Sequence, residues 1–280
     1  MSSTALLRTH IESSLDARLS STLLRERPAP LTVSTGVAAL DTLTGGLPRG
    51  ALSEIFGPPS SGRTAVMLAA LAQATRRQEA CALVDASDSF NPTTAAAAGV
   101  KLERLLWVRC GVAPSSVSAK GPAKHKALGR LEQVLKVTDL VLQGGGFGMV
   151  VLDLGDIPPQ SARRVPLTSW FRFRRAVEPT NTVLLLTDQE PCAKTCASLV
   201  IRLEREAACI HHAAPFPLQR DGAAYRKFPY SKEVTISANN VVSHAALLKG
   251  MRLHAEVLRS WTQRKPMQSA DASFRLSAAW

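Results

Sequence analysis

The most specific chemistry in this 280-residue chain lies in eight consecutive residues, Gly57, Pro58, Pro59, Ser60, Ser61, Gly62, Arg63 and Thr64. The spacing is a glycine, four residues, a second glycine, a cation and a hydroxyl. Loops of this kind turn successive backbone N–H groups, and the N-terminus of the helix they open, toward a phosphate chain. Gly57 and Gly62 are required because side chains there would hold the backbone off the phosphate. Ser60 and Ser61 line the loop, Arg63 brings positive charge, and the Thr64 hydroxyl suits a Mg²⁺ ion. Lysine is the usual residue where Arg63 stands. Arginine keeps the charge, but its planar fork is bulkier and is not a compact point charge.

A second constellation interleaves Arg163, Arg164, Arg172, Arg174 and Arg175 with Trp170, Phe171 and Phe173, and no acid falls between residues 161 and 177. Arginines neutralise phosphates, and exposed rings stack on unpaired bases. The expectation is a crossover helix after Pro166 with its aromatics in the core, which leaves the arginines for DNA or an acidic partner. A third group, Cys192, Cys196, Cys209, His211 and His212, has poor zinc-ligand spacing and a strand-like run in its middle. Core cysteines and surface histidines are expected there, and no metal centre.

These residues need elements to hold them. Ala51–Phe56 is expected as a strand feeding the loop, Thr64–Arg77 as the helix leaving it, and Ala80–Asp85 as the next strand. Leu105–Arg109 is a further strand and Lys126–Gln143 a helix. Met149–Leu154 and Thr182–Thr187 are near-continuous aliphatic runs, as strands buried on both faces should be. Leu199–Leu203 and Val234–Ser237 are also expected as strands, while Leu253–Leu258 fits strand or helix. Strands alternating with helices predict an α/β fold with a central, mostly parallel β-sheet flanked by helices. Ahead of this core, Leu7, Ile11, Leu15, Leu19 and Leu23 form one apolar stripe, ended by the prolines at 28 and 30. The expected organisation is an N-terminal amphipathic helix and Pro-rich linker (1–30), a core (31–262) and a flexible C-terminal tail (263–280).

Composition narrows the class. The chain is 45% hydrophobic and 20% charged, which excludes a disordered, collagen-like or disulfide-stapled protein. No apolar run approaches the ~18 residues of a membrane span, and five scattered cysteines fit reduced thiols. A cytoplasmic protein without membrane contact is expected. The net charge of +12 lies entirely beyond residue 100, since residues 1–100 carry eight bases and eight acids. A basic excess confined to one part of a chain suits a polyanion such as nucleic acid.

Ser34–Asp41, Gly45–Gly50 and Glu54–Thr64, in that order and spacing, resemble the RecA superfamily. Resemblance continues through Cys81–Ala86, Asn91-Pro92, Gly99-Val100, Val150–Asp153 and Leu184–Gln189, and fades near Glu204. It implies a RecA-like phosphate-loop core. It further implies ATP and Mg²⁺ as cofactors, with the ion held by Thr64 and, through water, by Asp153, and with Gln189 sensing the terminal phosphate. The compact, altered form is similar to the ImuA group of accessory proteins in bacterial mutagenic translesion synthesis.

The departures set the functional expectation. Where the family has its water-activating glutamate this chain has Ser87, and where it stacks a tyrosine on adenine it has Thr94. The second DNA-binding loop, after Gln189, is shortened to 190–194, leaving only 155–166 as the first. Losing a catalytic base costs roughly 10²–10⁴-fold, so efficient turnover is not expected. The expectation is a non-recombinase adaptor in DNA repair and SOS translesion synthesis with a degenerate ATP site. Its implied partners are an ImuB-like polymerase-family protein, RecA and single-stranded DNA. An active ATP-dependent recombinase and a SulA-like cell-division regulator are the alternatives.

Overall fold

The structure is a computed structural model, and it describes residues 31–111, 123–210, 248–260 and 270–277, with side chains for 31–111, 129–208 and 250–260. The apolar stripe at 7–23, the strand expected at 234–237 and the side chains of Cys209, His211 and His212 lie outside the described residues. The chain divides into two units, Met1–Leu31 and Thr32–Trp280, and the second is described below.

In chain order its elements are β1 (Thr32–Val33), α1 (Ala38–Thr44), β2 (Leu47–Pro48), β3 (Ala51–Phe56), α2 (Arg63–Arg76), β4 (Cys81–Asp85) and α3 (Pro92–Ala97). There follow β5 (Leu105–Arg109), α4 (Ala123–Gly144), β6 (Met149–Asp153), α5 (Pro159–Ala162), α6 (Leu167–Val177) and β7 (Val183–Asp188). Three longer strands close the chain: β8 (Leu199–Ile210), β9 (Leu248–Arg259) and β10 (Ala270–Ser277). An eight-stranded sheet runs in the order β10-β9-β8-β3-β7-β6-β4-β5. The six strands from β8 to β5 are parallel, and β9 and β10 extend the sheet antiparallel.

The parallel strands are buried on both sides because helices cover both faces. Period-two alternation sorts their side chains. Ala82, Val84, Val150, Leu152, Leu184 and Leu186 meet Trp170 and Phe173 of α6 and Leu131 and Val134 of α4. Leu83, Met149, Val151 and Leu185 pack on the other face with Val66, Met67 and Leu71 of α2 and Leu40 of α1. Asp41 of α1 accepts from Thr35 N (2.7 Å) and Ser34 Oγ (2.5 Å), which fixes the turn into that helix. Gly36 (φ +82) lies where an added Cβ would sit 2.8 Å from Ala69 O of α2, so only glycine lets the turn approach.

Two expectations change at the end of the chain. The segment 253–258, ambiguous by periodicity, belongs to a twelve-residue strand. The end expected as a flexible tail from 263 contains β10, paired antiparallel with β9 so that Phe274 stands opposite Leu253. Its alternating polar and apolar residues are a strand pattern that a Ser/Ala-rich composition disguises. No helix among the described residues is long and apolar enough to cross a membrane.

Candidate functional site

Register brings four strand ends to one edge of the sheet. Phe56 pairs with Asp188, Asp85 with Asp153, and Asp153 with Thr187. Clefts outside the carboxyl ends of parallel strands are where such folds take ligands, and the loop 57–62 leaves β3 at this edge.

The loop has the conformation its spacing demands. Gly62 (φ +88) is left-handed, and Ser60 also has positive φ (63°). Gly57 N donates to Asp188 O (3.2 Å) and Ser61 N to Pro58 O (3.1 Å), closing the turn, and Val66 N donates to Gly62 O (3.0 Å) in the helix that follows. Added β-carbons would overlap Leu203 O at Gly57 and the Leu253 side chain at Gly62, so β8 and β9 press on the loop from behind. Ser61 is buried, and its Oγ has no hydrogen-bond partner among the described residues.

Thr64, Asp153, Asp156, Ser89, Asn91 and Thr94 line one cavity. Asp153 Oδ1 accepts from Thr187 Oγ1 (2.7 Å) and Gly155 N (2.9 Å). Burial pushes its carboxyl above the usual range, and Asp85 adds to the rise, while those hydrogen bonds and Arg63 oppose it. A hydroxyl and carboxylates in a cleft are the oxygen donors Mg²⁺ takes, and a glycine cradle with an orphaned hydroxyl suits phosphate. The residues therefore fit a phosphate ligand and a cation: Thr64 and Asp153 would hold the ion, which would shield phosphate charge.

The group that would activate water is a different matter. Ser87 stands after β4 with its Oγ buried and unpartnered among the described residues. Asp85 is already engaged, accepting from the backbone at Ser87 N (3.0 Å) and Phe90 N (2.9 Å) and from the Trp107 indole Nε1 (3.2 Å). Asp88 is turned to β5, where Arg109 Nε and Nη2 each donate to it at 2.6 Å and hold its carboxyl below the ordinary value.

Gln189 lies apart from Thr64. Its Nε2 donates to Gly155 O (2.8 Å), and it lines a separate groove with Gly57, Pro58, Glu190 and Leu258. Beneath it is a buried acid cluster that the motifs did not announce. Glu54 of β3 accepts from Cys192 N (2.6 Å) and Ala193 N (3.0 Å), and Asp188 accepts from Gln189 N (2.6 Å). Burial raises both carboxyls, that of Asp188 to about 7, and lifts the Cys192 thiol between them well above its ordinary value. A charged residue inside the buried strand 51–56 was the available signal. Asp156 carried none.

The arginine constellation divides. Trp170 and Phe173 are fully buried and meet edge to face at 5.9 Å, while Phe171 is 42% exposed. Arg163 pairs with Glu190, and Arg172 Nε lies 2.8 Å from Asp139. Arg164 and Arg175 are exposed, and Arg174 is half-buried in the last turn of α6. Cys192 and Cys196 are buried free thiols, and no cluster of potential metal ligands occurs among the described residues.

Residues 20–117 match the family described as the RecA N-terminal domain. The chain is similar to the RecA protein of Rickettsia canadensis (strain McKiel), 28% identical over 173 residues, covering 56% of this chain and 45% of that protein. It thus spans under half of that relative's length. The crystal structure of the RadB recombinase resembles the fold at a TM-score of 0.50 and 16% identity, covering 89% of this chain and 97% of that one. An eight-stranded, largely parallel sheet, a glycine loop opening a helix at its carboxyl edge and these matches together support a relationship to the RecA superfamily.

Proposed function

We propose that this protein is a RecA-like accessory factor in DNA repair, an adaptor of the ImuA kind acting in SOS translesion synthesis. Its phosphate loop takes nucleotide without efficient hydrolysis. The observation that carries the reading is the end of β4, where Ser87 occupies the position after the strand and the acids beside it, Asp85 and Asp88, are engaged elsewhere. Phosphoryl transfer needs a placed base or a positioned water as well as a phosphate cradle. The adaptor's partners are an ImuB-like polymerase-family protein and RecA. Single-stranded DNA is a further ligand, met by Arg164 and Arg175 with help from Arg163, Arg172 and Arg174.

The test is steady-state ATP hydrolysis with and without single-stranded DNA. The expected result is background turnover in both, unchanged by Asp153→Ala. DNA-stimulated turnover abolished by that substitution would replace the adaptor with an active ATP-dependent recombinase, a reading that Thr64 and Asp153 in one cavity favours. For DNA contact, replacing Arg172, Arg174 and Arg175 with alanine should lower the log–log salt slope of binding by about 1–2, since ion pairing and burial hold part of the set back. An unchanged slope removes this helix from the interface.

A further inference from the structure

One flank of α6 leaves apolar surface in water. Trp170, Phe173 and Val177 fill the core, and Arg172 reaches Asp139 of α4. About a quarter-turn round from Arg172, a spacing of four residues lines up Leu167, Phe171 and Arg175. Leu167 is 36% and Phe171 42% exposed. Positive charge brackets this pair. Arg164 and Arg175 are exposed and form no ion pair among the described residues. α6 packs against the turn Lys194–Cys196, where Lys194 is exposed. Arg259 Nη1 donates to Lys194 O (2.5 Å) and Ala197 O (3.1 Å), so a further cation is fixed beside that turn by carbonyls and not by a carboxylate. Asp139, Glu190, Glu204 and Glu256 are paired with Arg172, Arg163 and Arg202 and do not cancel this charge. Glu178, at the foot of α6, is exposed and has no ion pair among the described residues.

An exposed ring is poorly hydrated, and the like charges around it repel. A single-stranded nucleic acid answers both, because its phosphates take the cations while an unpaired base offers its face to the ring. A duplex hides its base faces, and a second copy of this chain, at +12, brings more positive charge. We propose that Phe171 is a base-stacking platform for single-stranded DNA, with Leu167 beside it and with Arg164, Arg175, Lys194 and Arg259 holding phosphates on either side. A helix flank and the end of β9 then make the track, in place of long loops. The proposal rests on the DNA contact proposed above and adds to it the residue that receives the bases. It entails tolerance of sequence, since every base has a π-face.

The experiment is fluorescence anisotropy of the full chain with a labelled oligothymidylate and with an abasic strand of equal length, which keeps the phosphates and lacks the bases. Phe171→Ala should weaken oligothymidylate binding about 5- to 100-fold and leave its salt slope unchanged. On the abasic strand the same variant should match the wild type, and Phe171→Trp should keep the preference for bases. Arg259→Gln should do the reverse, lowering the log–log salt slope by about 0.7 on both strands. Because the two strands are compared on one sample, a loss of stability in a variant does not mimic a loss of stacking. Unchanged oligothymidylate affinity in Phe171→Ala, or an equal loss on both strands, would overturn the proposal and leave the arginine contacts to their own salt-slope test. A wild-type protein that binds neither strand would overturn both. Polyglutamate that competes as well as oligothymidylate would assign this face to an acidic protein and overturn the proposal too.

Discussion

The ends of β3 and β4 share one edge of the sheet, separated by β7 and β6, and treat their polar groups in opposite ways. Beyond β3, the Ser61 hydroxyl and Arg63 Nη1 have no hydrogen-bond partner among the described residues, and Thr64 is exposed. Beyond β4, Asp85 accepts three hydrogen bonds, Asp88 is clamped by Arg109, and Cys110 N donates to Asp85 O at 2.9 Å. Buried polar groups are normally satisfied, so the open end is the one shaped for a ligand and the closed end is architecture. Ser87 Oγ is the exception within the closed end, small enough to be left over. In this fold, then, the loop we propose for phosphate and the strand end that would drive hydrolysis can diverge separately, because different strands carry them.

That contrast can be broken in graded steps. The largest effect is expected at the closed end: Asp85→Ala strands two backbone N–H groups and the Trp107 indole, and should cost about 3 kcal/mol in denaturant unfolding. A near-neutral result would mean that this network is not structural. Gly62→Ala should cost about 2 kcal/mol, since its left-handed φ of +88 is strained for alanine and the new carbon meets Leu253. Gly144→Ala, at the end of α4 with nothing within 4 Å, should instead be neutral or gain up to about 1 kcal/mol, which separates loop strain from a general intolerance of side chains.

The smallest expected effect is a pH slope. The Asp188 carboxyl rises from its ordinary 3.8 to about 7 because it is buried. A carboxyl raised in the folded state binds its proton more tightly there, so its stabilising contribution is complete below about pH 4 and is lost as pH climbs through about 7. Asp188→Asn keeps an acceptor for Gln189 N and should flatten the fall in Tm across that window without abolishing it. Glu54 and Asp153 are raised too and slope the same way. An unchanged slope would show that Asp188 does not titrate there.

Much of the architecture was legible in the residues. Runs such as 149–154 and 182–187 are aliphatic on both alternating faces, and only a strand between two helical layers needs that. The loop at 57–64 declares its own turn, since glycines at both ends and a hydroxyl after the cation permit few other uses. The helix after Pro166 was legible in part: Trp170 and Phe173 entered the core, but Phe171 stands 42% exposed and Arg174 is half-buried while the other arginines lie at the surface. β10 was missed because a Ser/Ala-rich stretch has weak β preference and is a strand only beside β9.

The site divides along the same line. Local sequence determined which residues stand at the loop, because spacing along the chain is all that a turn and the first helical turn require. Tertiary structure decided what they face. Asp88 turning to Arg109 and Glu54 to the turn after Gln189 join residues 21 to 139 positions apart. Strand order and register set such pairings, and a buried charge takes whichever partner the assembled sheet brings within reach.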